Sequence, residues 1–126
     1  MSASVRVLVV DDSALMRKLI PQILSTDMSI EVVGTAMDGN FGLKKMEELR
    51  PQMVTLDLEM PGMNGIEICR RLRKESQTRN TPVVIVTAKA SDNDIRISQE
   101  LGVAGYITKP FSVRELIARV NSLLNR

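Results

Sequence analysis

Met53-Val54-Thr55-Leu56-Asp57-Leu58-Glu59-Met60-Pro61-Gly62 is an apolar run that breaks at one aspartate and enters a proline- and glycine-punctuated turn. Bounded by Pro51 and Pro61, it reads as a buried strand. Asp57 then stands at the carboxyl end of that strand, where open α/β sheets place their ligand crevices. The first apolar run, Val5-Arg6-Val7-Leu8-Val9-Val10, ends the same way in Asp11 and Asp12. Thr87 closes Val83-Val84-Ile85-Val86, and Lys109 follows Gly105-Tyr106-Ile107-Thr108 and precedes Pro110.

The segments between these runs carry helical periodicity. Leu15, Met16, Leu19, Ile20, Ile23 and Leu24 form one stripe, with Arg17, Lys18, Gln22 and Ser25 opposite. Pro21 lies inside that helix and predicts a kink, because it has no amide hydrogen for the Arg17 carbonyl. Ile30-Glu31-Val32-Val33-Gly34-Thr35-Ala36 reads as the second strand. Asp38-Gly39 opens a helix with Leu43, Met46 and Leu49 inward, which ends at Arg50-Pro51. Ile66, Cys69 and Leu72 mark the third helix, Ser91-Asp92-Asn93-Asp94 caps a fourth, and Leu101-Gly102 ends it. Ser112-Val113-Arg114-Glu115 is a capping box before a stripe of Val113, Leu116, Ile117, Val120, Leu123 and Leu124. Five strands alternating with five helices through short loops predict one doubly wound α/β domain over residues 1–126, with a parallel sheet covered on both faces.

Composition narrows the chemistry. With 126 residues the chain is long enough for one sizeable core. A net charge of +2 gives no electrostatic case for nucleic acid or a membrane surface. Histidine is absent, which removes histidine catalysis, histidine metal sites and histidine pH switches. The single cysteine, Cys69, excludes an internal disulfide and reads as core filler. No long apolar stretch or signal peptide precedes the first strand, so the expected location is the cytoplasm, without membrane insertion.

An aspartate at a strand end is ordinarily a turn former or a helix cap, and Asp12 fits a cap. Thr87 and Lys109 taken singly are equally ordinary. The argument for a site rests on all five groups ending strands on one side of one sheet. Two carboxylates about 4 Å apart at an effective dielectric of 20 repel by about 4 kcal/mol, so such a cluster needs a cation. Oxygen donors without His or Cys suit Mg²⁺. Lys109 supplies an ammonium and Thr87 a hydroxyl for phosphoryl oxygens. The combination suits phosphoryl transfer, with Asp57 as the nucleophile that forms an aspartyl-phosphate.

Asp11-Asp12-Ser13, the segment from Leu56-Asp57 through Met63-Asn64-Gly65, Val86-Thr87-Ala88 and Tyr106-Ile107-Thr108-Lys109-Pro110-Phe111 together resemble the receiver domain of bacterial two-component response regulators. The resemblance covers essentially the whole chain. It implies the flavodoxin-like strand order 2-1-3-4-5. It also implies that Asp57 accepts a phosphoryl group from a sensor histidine kinase or a histidine phosphotransfer protein. Asp12 would bind Mg²⁺ directly, Asp11 mainly through water, and Asp57 and the backbone carbonyl of Glu59 would complete the ligands. Thr87 and Lys109 would hold phosphoryl oxygens, Lys109-Pro110 would be cis, and Tyr106 would be an aromatic switch coupled to Thr87. Signalling would pass through the fourth helix, fifth strand and fifth helix to a downstream protein.

Asp12-Ser13-Ala14-Leu15-Met16-Arg17 is similar to chemotaxis-type receivers. The chain ends at Asn125-Arg126, so the expectation is a stand-alone regulator that acts by binding, not an enzyme beyond its own phosphorylation and autodephosphorylation. The alternative is the N-terminal receiver of a longer regulator. A haloacid-dehalogenase-like phosphatase is the remote alternative, disfavoured because Asp57 is on the third strand and is followed two residues later by Glu59 rather than Asp. Glu59 and Lys89 flank the site, where Glu59 could pair with Lys89, repel the incoming anion or orient water for hydrolysis, and the sequence leaves the lifetime of the phosphorylated state open. Phe41, Ile95 and Ile97 are apolar at positions often polar in the family, and Ile95 with Tyr106 is expected to form a partner surface.

Overall fold

The computed structural model describes residues 4–88 and 91–123. Ten elements alternate: β1 Val5–Val10, α1 Ala14–Leu24, β2 Ile30–Ala36, α2 Gly39–Leu49, β3 Met53–Leu56, α3 Gly65–Lys74, β4 Val83–Thr87, α4 Asp92–Glu100, β5 Gly105–Thr108 and α5 Val113–Leu123. All strand pairs are parallel, in the order β2-β1-β3-β4-β5. This is the flavodoxin-like doubly wound sheet with five helices that the sequence implied.

Strand alternation divides the core into two layers. Leu8, Val10, Val54, Leu56, Val83 and Ile85 pack with Met46 of α2 and Ile66, Ile68, Cys69 and Leu72 of α3. Val7, Val9, Met53, Val84, Val86 and Ile107 pack with Ile20, Ile23 and Leu24 of α1 and Leu116 and Val120 of α5. The central strands are apolar on both faces because both are covered, as a parallel sheet requires. A bulge between Val32 and Gly34 in β2 shifts its register against β1.

Side-chain caps start the helices, with Ser13 rather than Asp12 capping α1. Ser13, Asp38, Asn64 and Ser91 each accept a hydrogen bond from the amide three residues on, and Ser112 accepts one from the Glu115 amide at 3.0 Å. The α1 helix continues through Pro21 to Leu24, and Ser25 N–H donates to the Pro21 carbonyl at 2.9 Å. Arg50 closes α2 in the left-handed region, at φ 46°.

Three residues lie elsewhere than their helical pattern put them. Leu15 and Val113 belong to the apolar stripes but are 66% and 53% exposed. Each sits in a first helical turn, level with the carboxyl ends of the strands, where no sheet remains to cover it. Arg17 is on the polar stripe, yet its guanidinium folds back onto the Asp11 carbonyl. Leu124, Asn125, Arg126 and Lys89 lie outside the described residues.

Two buried groups allow direct tests of the core. The Thr55 hydroxyl, on a residue 1% exposed, has no hydrogen-bond partner among the described residues. Thr55→Val removes that unmet polar atom at nearly constant volume, so it stabilises the protein by about 1 kcal/mol in urea titration; an unchanged midpoint means the hydroxyl is satisfied in solution. Cys69 is 1% exposed. Burial pushes its thiol from 9.0 up to about 11, against the lowering charge of Arg73. A raised folded value contributes stability that is fully present below pH 9.0 and is lost as pH rises through about 11. The loss is roughly 3 kcal/mol. Stability–pH curves of the native chain and Cys69→Ala should therefore converge over that window; parallel curves contradict it.

Candidate functional site

The strand order reverses between β1 and β3, the switch point at which such sheets bind ligands. Asp11 and Asp12 follow β1, Asp57 follows β3, Thr87 ends β4 and Lys109 follows β5. Backbone bonds extend the ladder by one residue there. Asp11 N–H donates to Ala36 O at 3.0 Å, Asp57 N–H to Val10 O at 3.1 Å and Lys109 N–H to Thr87 O at 2.9 Å. The strand register therefore fixes the site residues' backbones.

The five side chains predicted from strand ends do meet in one crevice. Oδ1 of Asp57 accepts from the Glu59 amide at 3.0 Å and from the Thr87 hydroxyl at 2.9 Å. Lys109 reaches across β4, and its Nζ donates to Asp57 Oδ2 at 3.0 Å and to Asp11 Oδ2 at 2.7 Å. Asp11 Oδ1 accepts from the Ser13 amide at 3.0 Å, and its carbonyl accepts from Arg17 Nη1 at 3.0 Å. Asp11 and Asp57 are buried, at 1% and 5% exposure, whereas Asp12 is exposed. The peptide between Lys109 and Pro110 is cis.

Burial pushes the Asp11 carboxyl above its ordinary value, a rise that the Lys109 and Ser13 hydrogen bonds oppose and the Asp57 charge assists. Burial pulls the Lys109 ammonium down, but its hydrogen bonds and charge pairing with Asp11 and Asp57 carry it above the usual lysine value. Burial thus dominates on the acid and pairing dominates on the base. Asp11, Asp12 and Asp57 each offer a carboxylate oxygen within 4.8 Å of the others. Among the described residues one ammonium opposes three carboxylates, and the all-oxygen set suits a hard divalent cation rather than zinc. The donors present fit Mg²⁺.

Tyr106, on β5, is half-buried and packs against the layer that contains Cys69. Its hydroxyl donates to the Ile95 carbonyl of α4 at 2.9 Å. Ile95 and Ile97 are half-buried, and Phe41 is 48% exposed. Glu59 is exposed at the crevice rim. Two contributors escaped the sequence reading. Arg17 bonds into the acidic loop, and Gly65 packs so closely on the Asp57–Leu58 backbone that a Cβ there would meet Asp57 O at 2.7 Å. Gly65 entered the sequence reading only as the end of the segment that begins at Leu56, without a role of its own.

Residues 7–121 match the family model for the response regulator receiver domain. The chain is 55% identical over 108 residues to protein-glutamate methylesterase/protein-glutamine glutaminase 2 of Koribacter versatilis, covering 84% of this chain and 29% of that protein. It is 43% identical over 122 residues to the DNA-binding response regulator MtrA of Mycobacterium tuberculosis, covering 96% and 51%. It therefore spans about a third to a half of the length of these curated relatives. Among solved structures it is similar to a chain of the CheX-CheY-BeF3-Mg²⁺ complex of Borrelia burgdorferi, with a TM-score of 0.88 and 27% identity over 97% of this chain and 90% of that one. Among the described residues no helix is long and apolar enough to cross a membrane. A receiver-type sheet order, an acid trio at its switch point and a family match over most of the length lead to one conclusion: the chain belongs to the response regulator receiver domain family.

Proposed function

We propose that this chain is a phosphorylation switch in which Asp57 takes a phosphoryl group from the phosphohistidine of a sensor kinase or a phosphotransfer protein. The observation that carries the reading is the Asp57 carboxylate itself, held by the Glu59 amide, the Thr87 hydroxyl and the Lys109 ammonium beside two further acids. In the transfer an Asp57 oxygen forms the new P–O bond, the P–N bond to histidine breaks, and its electron pair returns to the imidazole. Asp12, Asp57 and the Glu59 carbonyl would hold Mg²⁺, with Asp11 acting mainly through water. When bound, Mg²⁺ supplies Lewis-acid stabilisation of phosphoryl charge. Lys109 and Thr87, which now donate to Asp57, would turn their donors to phosphoryl oxygens.

That exchange gives the switch a physical basis. Thr87 moving toward the phosphoryl group vacates space beside Tyr106, and an inward turn of Tyr106 breaks its bond to the Ile95 carbonyl. The face formed by α4, β5 and α5, with Ile95 and Tyr106 on it, then changes for a downstream protein. The same residues serve a stand-alone chemotaxis-type regulator or the receiver of a longer protein, and the curated relatives, of which this chain spans about a third to a half, support the second.

Incubation with Mg²⁺ and acetyl phosphate should add one phosphoryl group by intact mass, and none without Mg²⁺ or in Asp57→Asn. No labelling, together with no binding of beryllofluoride, overturns the switch reading.

A further inference from the structure

We propose that Arg17 is a positioning residue for the divalent-cation pocket, holding the peptide that joins Asp11 to Asp12 so that the Asp12 carboxylate faces Asp57. This inference rests on the magnesium reading above. Arg17 lies in the first turns of α1, and its own amide donates to Ser13 O at 3.0 Å. Its Nη1 reaches back six residues to the Asp11 carbonyl, at 3.0 Å. The other polar atoms of Asp11 are engaged as well. Its amide donates to Ala36 O, Oδ1 accepts from the Ser13 amide, and Oδ2 accepts from Lys109.

The carbonyl that Arg17 holds belongs to the Asp11–Asp12 peptide, whose plane sets the direction in which Asp12 leaves the backbone. Asp12 is exposed, and among the described residues its side chain has no hydrogen-bond partner. No described residue aims it at the carboxylate end, which leaves that task to the backbone. Even so, its oxygen lies within 4.8 Å of those of Asp11 and Asp57. An exposed side chain kept in that group needs a restrained peptide, and Arg17 supplies the restraint that the strand ladder, ending at Asp11 N–H, does not.

The alternative role for Arg17 is simple charge balance, and it predicts the opposite sign. A cation beside three carboxylates repels an incoming Mg²⁺, so on charge alone its removal tightens binding. As a positioning group, its removal weakens binding, in the way that losing a partner behind a ligand costs roughly tenfold in metal affinity.

Mg²⁺ is titrated into the unphosphorylated protein by calorimetry for the native chain, Arg17→Met, Arg17→Lys and Arg17→Gln, each shown to be folded by urea titration in EDTA. Arg17→Gln stands in for Arg17→Met if the latter fails to fold. We expect Arg17→Met to weaken Mg²⁺ about tenfold and Arg17→Lys to recover part of the loss. In an Asp12→Asn background the Arg17→Met effect should vanish, because the two act as a unit. Unchanged or tighter binding in Arg17→Met, or an undiminished effect without Asp12, overturns the inference while leaving the switch reading intact. A native chain that binds no Mg²⁺ overturns the magnesium reading and this inference together.

Discussion

Lys109→Met lowers the stability of the metal-free protein by about 3 kcal/mol, and saturating Mg²⁺ returns most of it. The Lys109 side chain is 15% exposed and bridges Asp11 and Asp57, whose side chains are 1% and 6% exposed. Removing the ammonium leaves two desolvated carboxylates that repel each other, and among the described residues the remaining donors, from Ser13, Glu59 and Thr87, carry no full charge. The exposed pairs Arg71–Glu67 and Arg96–Glu100 are the contrast. Both span 3.5 Å with side chains from 44% to 65% exposed, and solvent screening leaves each worth under about 1 kcal/mol. Urea titration in EDTA of Lys109→Met beside Arg71→Gln therefore separates a site-centred charge from a surface one. Equal small losses would mean that Lys109 does not counter the acids in solution.

The pH dependence of that variant follows from the shifts at the site. Lys109 titrates above its ordinary value in the folded state, so its contribution is complete below pH 10.5 and fades as pH rises beyond. Asp11 is also raised, so its protonation favours the folded state, and that contribution is lost as pH rises from 3.8 through the folded value. In Lys109→Met the deficit should shrink on acidification, because a protonated Asp11 no longer needs the ammonium.

How much of this was legible in the sequence depends on the range of the interaction. Asp11, Asp12, Asp57, Thr87 and Lys109 were legible because each ends an apolar run, and a parallel sheet brings like ends of its strands together. The pairing of Ile95 with Tyr106 was anticipated as a surface; the hydroxyl-to-carbonyl bond that ties them was not. Helical periodicity names a face but not where the sheet beneath it stops, which is why Leu15 and Val113 fell on the wrong side of the surface. Arg17 shows a different limit. A long polar side chain on a solvent stripe has several atoms of reach, and its head can return to the backbone six residues earlier. Neither the stripe nor the residue type records that return.

Gly65→Ala slows labelling of Asp57 by acetyl phosphate about a hundredfold and costs roughly 1–3 kcal/mol of stability. A Cβ at Gly65 would sit 2.7 Å from Asp57 O and 2.8 Å from both Leu58 Cα and Leu58 Cδ2. Two of these three atoms are backbone, so the strain cannot be relieved by a rotamer alone. The Gly65 amide also donates to Leu58 O at 3.1 Å, and Asn64 caps the helix that begins at Gly65. To admit a methyl group, either α3 lifts from the Asp57–Leu58 segment or that segment moves. Movement shifts the carboxylate away from Thr87 and Lys109, and misplacement on the order of 1 Å is enough for a hundredfold loss of rate. Gly62 separates space from conformation. It has φ +78° with nothing within 4 Å of its would-be Cβ, so Gly62→Ala meets only the left-handed penalty of about 1 kcal/mol and should label at close to the native rate. Intact-mass time courses of the two variants read the difference directly. Equal labelling rates would show that the Asp57 backbone yields without cost and that α3 does not set its position.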